Sequence, residues 1–324
     1  MIKFGSTIAA ACLVTSIPMA GLSADHVTTY DGTDGPYTVA YTRDLELNTP
    51  ERVEPLTIQV ARPVDVDRSP LIVFSHGFRC ELDGNDPLVA HWASHGYTVI
   101  QPRHLDAEPG SKAGDYPQHV IWQERRLDMV HSLDLLDQIT TAIPELTDTL
   151  DLSTIIAAGH SYGGLTAQSA AGATTYSRDD DNAPVYEPDP RFKSVIAVSP
   201  PGYMPGFVDE NSAKTIDHPM IVTTGTKDFI PPMMPTWEVH ANTYHDAVPG
   251  DKYLAVVDGA DHRFGGLICG NDGSTPMLEQ LSTLKSATLA FADYYVRGTY
   301  AAKVHLDGLV DAGQTATMFA FESK

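Results

Sequence analysis

The chain has 324 residues, 42% of them hydrophobic and 19% charged, with 25 Gly and 23 Pro. That mixture supports a packed core, which excludes a disordered or coiled-coil chain, and the length suits two average domains or one large α/β domain. Acidic residues number 42 against 21 basic, a formal charge of −21; a field of that sign repels phosphate backbones and anionic lipid, so neither nucleic-acid binding nor a polybasic membrane contact is expected.

Residues 1–24 read as a secretory signal peptide. Lys3 makes a short basic start, residues 7–17 are mostly apolar, Pro18 breaks the run, and Leu22-Ser23-Ala24 offers small residues for cleavage before Asp25. The apolar run is shorter than the roughly 20 residues a membrane span needs, so the expected product is exported, soluble and without stable membrane insertion. Cys12 leaves with the leader. Cys80 and Cys269 remain, either as a disulfide in an oxidising compartment or as two buried thiols.

No repeat or Gly/Ser linker divides residues 25–324, which read as one domain. Residues 37–47 and 57–62 predict opening strands at an antiparallel edge, and residues 71–74 a short buried strand. A helix over 87–94 leads to a strand at 97–100, and residues 121–143 read as one long amphipathic helix. Strands recur at 153–158, 194–199, 220–224 and 253–257, and a last long helix covers 276–296. This alternation predicts an α/β fold with a mostly parallel central sheet, helices on both faces and no large lid. The acidic stretch 178–182 reads as a solvated loop, with a hard cation as the alternative.

Chemistry begins where the strand over 153–158 ends. Gly159-His160-Ser161-Tyr162-Gly163 spells G-x-S-x-G between that strand and an Ala-rich helical stretch. This is the context of a nucleophile elbow, in which the serine sits on a tight strand-to-helix turn. A serine hydroxyl needs a base to take its proton and a third group to orient that base, in the chain order Ser, acid, His for this kind of sheet. Asp228 follows the strand over 220–224, and His262 follows the strand over 253–257. Both therefore sit at carboxyl ends, where such sheets build their sites. Ser161, Asp228 and His262 are the expected catalytic residues. Asp261 shares a loop with His262 and is a poorer orienting group, and His240 and His245 read as surface histidines of a helix after Asp228.

An oxyanion needs preorganised N–H donors. The expected pair is the backbone N–H of Tyr162 and that of Phe78, which follows Ser75-His76-Gly77 at the end of the strand over 71–74. Cys80 lies just beyond that loop and Cys269 just beyond the His262 loop, which favours the disulfide over the two thiols. Tyr203, Met233 and Phe264 are candidates for the substrate pocket.

Ser75-His76-Gly77, Ala93-Ser94-His95-Gly96-Tyr97, Gly159-His160-Ser161-Tyr162-Gly163-Gly164 and Asp261-His262-x-Phe264-Gly265-Gly266 together resemble the α/β-hydrolase superfamily. More narrowly the chain resembles predicted dienelactone hydrolases and platelet-activating-factor acetylhydrolase-like serine esterases, with the Trp122-x-x-Arg125-Arg126-x-Asp128 helix and Asp189-Pro190-Arg191-Phe192 among the shared features. Cutinase-like polyester hydrolases are a more distant likeness, through Asp228-x-Ile230-x-Pro232 and Phe78. Unlike true dienelactone hydrolases it carries serine, not cysteine, at the elbow. The resemblance implies a serine ester hydrolase that needs no metal or organic cofactor and takes a small-molecule or polymeric ester as its substrate. Nothing in the residues sets an oligomeric state.

Overall fold

A computed structural model describes residues 28–176, 183–185, 187–270 and 273–324. The expected signal peptide and the acidic loop at 178–182 lie outside these residues.

In chain order the strands and helices are β1 (Val39–Leu47), β2 (Leu56–Pro63), β3 (Ser69–Ser75), α1 (Asp86–Ser94), β4 (Thr98–Pro102), α2 (Gln118–Asp134), α3 (Leu136–Ala142), β5 (Leu150–His160), α4 (Tyr162–Ala170) and β6 (Thr175–Tyr176). There follow β7 (Pro184–Val185), β8 (Phe192–Val198), β9 (Met220–Lys227), α5 (Glu238–Asp246), β10 (Lys252–Asp261), α6 (Leu278–Arg297), α7 (Tyr300–Ala312) and β11 (Met318–Ser323). Among the described residues nine strands form one sheet in the order β1-β2-β4-β3-β5-β8-β9-β10-β11. From β4 to β10 neighbours run parallel, while β1, β2 and β11 pair antiparallel at the edges. The expected α/β-hydrolase architecture, with its antiparallel opening, is the one observed.

Both faces of the central strands are buried because side chains alternate with period two. Ile72, Phe74, Ile156 and Ala158 face a core shared with Trp92 of α1 and Phe291 of α6. Leu71, Val73, Ile155 and Ala157 face the opposite core, with Met129 of α2, Ala167 of α4 and Ala241 of α5. The chain crosses from β3 to β4 on one side and returns to β5 on the other. Strand order therefore reverses beside β3, and such a switch opens a crevice at the carboxyl ends of the strands.

Three expectations are corrected. The helix expected over 121–143 is two, α2 and α3, parted at Leu135 (φ −105°, ψ 20°). The break brings Ile139 and Ile143 into the second core beside Leu133. The last helix is followed by α7 and by edge strand β11, which the sequence reading did not anticipate. Nor is the inner face of α2 an apolar stripe, since it buries Arg125 and Asp128 along with Trp122 and Met129. Arg52 donates to both carboxylate oxygens of Asp128, from Nε at 2.7 Å and Nη2 at 3.1 Å.

Removing one partner of a buried ion pair leaves an uncompensated charge and costs about 3–5 kcal/mol. Arg52→Met is expected to lose stability on that scale in urea unfolding, and Arg52→Lys, which keeps a positive charge beside Asp128 and leaves the His104 contact intact, to lose less. Equal losses in the two variants would assign the cost to packing and not to charge.

Candidate active site

The sharpest feature of the backbone is Ser161. It has φ 54° and ψ −123° between the end of β5 and the start of α4, a positive φ that a residue with a Cβ adopts only where its surroundings impose it. Its N–H donates to Val198 O of β8 at 2.8 Å. The turn packs against β3 without room for a side chain: a Cβ on Gly163 would overlap the Ser75 carbonyl, and one on Gly159 the Gly163 carbonyl. These close approaches explain the two glycines of the motif. Ser161 is left half-buried at the carboxyl ends of the strands beside β3.

The register of β9 and β10 brings Asp228 and His262 together. Asp261 aligns with Lys227, so the residues that follow, His262 and Asp228, leave the sheet side by side. His262 Nδ1–H donates to Asp228 Oδ1 at 2.7 Å. Nε2 is then free to accept from Ser161 Oγ, 2.9 Å away and 101 residues earlier in the chain. Asp228 is fully buried and also accepts from Thr224 Oγ1 at 2.9 Å. Burial alone would raise its carboxyl, but the His240 and His262 rings outweigh burial and hold it well below the usual carboxylate range.

His240 is not a surface residue. It is fully buried on α5, donates from Nδ1 to Pro200 O at 2.8 Å, and places Nε2 3.0 Å from Asp228 Oδ1. Only the crossing of α5 behind β9 turns it inward. His245, one turn further on, is exposed as expected. His160 is a second residue whose contact was missed: its Nε2–H donates to the carbonyl of His262 at 2.8 Å, tying that backbone to the turn that carries Ser161. Burial, reinforced by the neighbouring His262 ring, pushes His160 down to about 3. The position of His160 inside G-x-S-x-G was the available signal for it.

The loop after β3 closes over the elbow. Gly77 comes so near that a Cβ there would sit 2.7 Å from Cys80 Sγ and 3.4 Å from Ser161 Cβ. Phe78 follows, 45% exposed, its ring 6.2 Å from that of Tyr162. Tyr162 is buried, stacks on Trp122 at 5.5 Å, and accepts from Gln118 Nε2 at 2.9 Å. Cys80 and Cys269 form a disulfide, Cα atoms 4.8 Å apart, that joins this loop to the one after His262.

The pocket candidates divide. Phe264 is fully buried in the core with Leu281 and Leu284, so it presents no surface to a pocket. Tyr203 is partly exposed and donates to Asp246 Oδ2 at 2.6 Å, while Met233 is 75% exposed on the loop after Asp228. Phe229, next to Asp228 in the chain and 52% exposed, is an apolar side chain that sequence reasoning passed over. Asp261 serves its own turn, accepting from the N–H groups of Arg263 and Gly265. Among the described residues two groupings have metal-ligand chemistry, but in Cys80–His160–Cys269 the sulfurs are tied in the disulfide, and Asp228–His240–His262 is closed by its own direct contacts.

A second chain of the same residue types lies beneath. Ser75 Oγ is 2.7 Å from His104 Nε2, and His104 Nδ1 is 2.9 Å from Asp128 Oδ2. All three side chains are fully enclosed, so no substrate reaches Ser75. Burial, with the Arg125 charge acting the same way, holds His104 well below its ordinary value, and burial with the His104 ring does the same to His76.

The family described as Chlorophyllase matches residues 30–204, more than half of the chain. The chain belongs to the chlorophyllase family. This is a family of α/β-hydrolase serine esterases, and the protein is accordingly a hydrolase that acts on esters. The match spans β1 through the elbow and β8 but stops short of Asp228 and His262. It supports the superfamily and not the narrower likenesses to dienelactone, platelet-activating-factor or cutinase-like enzymes. Comparison with curated proteins finds no match.

His76, His104 and His160 have folded-state values below the ordinary 6.5, so unfolding takes up protons in acid. Their contribution to stability is complete above about pH 6.5 and is lost as pH falls, by about 1.4 kcal/mol per pH unit for each group that titrates only when unfolded. Urea unfolding from pH 7.5 to 4.5 is expected to show that slope, shallower in His160→Gln; a flat profile would contradict the buried neutral rings. The disulfide closes a 189-residue separation, and Cys269→Ser is expected to cost about 2–5 kcal/mol. Unreduced protein should yield no alkylated Cys80 or Cys269, and labelling of both would refute the bond.

Proposed function

We propose that the protein is an exported serine carboxylic-ester hydrolase acting on short-chain or small esters, with residues 25–324 as one catalytic domain. The observation that carries this reading is the hydrogen-bonded chain Ser161–His262–Asp228, joined at 2.9 Å and 2.7 Å at the mouth of the crevice. Ser161 Oγ attacks the ester carbonyl as His262 Nε2 takes its proton, and Asp228 holds the ring and balances its charge. The oxyanion lies against the N–H groups of Phe78 and Tyr162. His262 returns the proton to the departing alcohol, leaving the acyl group on Ser161. Water, deprotonated by His262, attacks the acyl-enzyme and frees the carboxylic acid.

Phe78, on the loop beside Ser161, and Phe229 and Met233, which follow Asp228 in the chain, are exposed and suit an apolar acyl or alcohol group. Export is supported by the Cys80–Cys269 disulfide, a bond that persists in oxidising compartments. No helix of the described residues is long and apolar enough to cross a membrane.

Purified protein, assayed on p-nitrophenyl esters from acetate to palmitate, an aromatic polyester film and chlorophyll (the compound carried in the family's name), is expected to turn over the short chains fastest. Ser161→Ala is expected to fold normally and lose turnover by about 10⁶-fold, as triad knockouts do. Wild-type activity in that variant would overturn the nucleophile, and release from the film would extend the substrate class to polymers.

A further inference from the structure

We propose that Arg125, a residue that never meets the substrate, aims both oxyanion-binding donors by holding the Gly77 carbonyl and the Tyr162 ring from below. The proposal rests on the reading of Ser161 as nucleophile with Phe78 and Tyr162 as donors.

Arg125 is fully buried on α2 and pairs with equally buried Asp106, Nε to Oδ1 at 2.9 Å and Nη2 to Oδ2 at 2.8 Å. Its remaining hydrogens go to the end of β3 and the loop after it: Nη1 donates to His76 O at 2.9 Å and Ser75 Oγ at 3.3 Å, and Nη2 to Gly77 O at 3.2 Å. The guanidinium carbon also lies 4.5 Å from the centre of the Tyr162 ring, within cation–π range. One cation thus touches the residue before one donor and the side chain of the other.

The direction of the Phe78 N–H follows from peptide geometry. The Gly77–Phe78 bond is not among the cis bonds, which are Glu108–Pro109 and Pro231–Pro232. In a trans peptide, C=O and N–H point in opposite directions across one plane. Fixing the Gly77 carbonyl on the buried Arg125 therefore turns the Phe78 N–H to the other side. Glycine makes this restraint necessary. Its lack of a Cβ admits the loop against Ser161, but the same freedom lets the peptide rotate. Rotation would set a carbonyl oxygen where the oxyanion forms.

A packing role alone does not account for the pair. Replacing a buried ion pair by apolar residues of similar volume is often neutral or stabilising, yet here a guanidinium spends every donor on one carboxylate and one loop. Gly77 O also accepts from His76 Nδ1 at 2.7 Å and Cys80 N at 3.2 Å. Arg125 thus shares the restraint, and its loss should cost less than the 10²–10³-fold of a deleted donor.

The test compares wild type, Ser161→Ala, Arg125→Lys and the charge-neutral double variant Arg125→Met with Asp106→Leu. Each is measured for thermal unfolding, for kcat and KM on p-nitrophenyl acetate, and for inhibition by an alkyl boronic acid, whose tetrahedral adduct on serine occupies the oxyanion position. Both Arg125 variants are expected to lose about 10–100-fold in kcat with little change in KM, and boronate affinity should fall in parallel even where the unfolding temperature is unchanged. A folded double variant with wild-type kcat and boronate binding would overturn the proposal. If that variant does not fold, Arg125→Lys decides by the same two readings. Full activity in Ser161→Ala would instead overturn the underlying assignment of the site.

Discussion

The contact on which the site depends is between two stretches of backbone, the end of β3 and the turn that carries Ser161. The Ser75 carbonyl lies where a side chain on Gly163 would be, and Gly77 lies against Ser161 and Cys80. The switch in strand order beside β3 makes these two segments neighbours. Absence of a Cβ at three positions then lets them close to van der Waals distance. A serine held at φ 54° is strained, and such strain persists only where the surroundings over-determine the conformation. Here the Val198 carbonyl, the Ser75 backbone and the first turn of α4 do so together.

Around that contact the protein places an unusual share of its buried charge. Arg52, Asp128, His104, Ser75, Arg125 and Asp106 form one connected chain of hydrogen bonds from the β1–β2 turn to the loop after β3. On the far side His160 donates to the backbone of His262, and His240 sets its Nε2 3.0 Å from the carboxylate of Asp228. Burying such groups is expensive unless each is paired. What they provide that hydrocarbon cannot is direction, since a hydrogen bond fixes an angle as well as a distance. Asp106 illustrates the balance: burial would raise its carboxyl, yet the Arg125 charge brings it down to about 2.

The two Ser–His–Asp chains make a related point about inference from geometry. Ser75–His104–Asp128 and Ser161–His262–Asp228 share residue types, hydrogen-bond sense and distances close to 2.7–2.9 Å. One is enclosed between α2 and β3 and works as structure. The other has its serine only half-buried, with Phe78 exposed on the loop beside it.

Much of this was legible in the linear chain, because hydrophobic periodicity and the punctuation of strands by glycine are local. The alternating strands, the antiparallel opening, the G-x-S-x-G turn and the order Ser161, Asp228, His262 follow from residues close together in sequence. What could not be read there depends on which face of an element meets another. His240 sits on a helix whose polar residues suggest solvent, and the crossing of α5 behind β9 turns it onto Asp228 instead. Phe264 looked like a pocket residue because it is aromatic and near His262, but the turn after β10 points it into the core. Arg125 and Asp128 carry full charges on a helix whose inner face was expected to be apolar, and only the partners Asp106, Arg52 and His104, brought from other segments, make that burial tolerable. Local patterning carries the fold class and singles out Ser161, Asp228 and His262 as candidates; which buried polar groups surround them rests on tertiary contacts, because pairing across the sheet is a long-range property that no local pattern encodes.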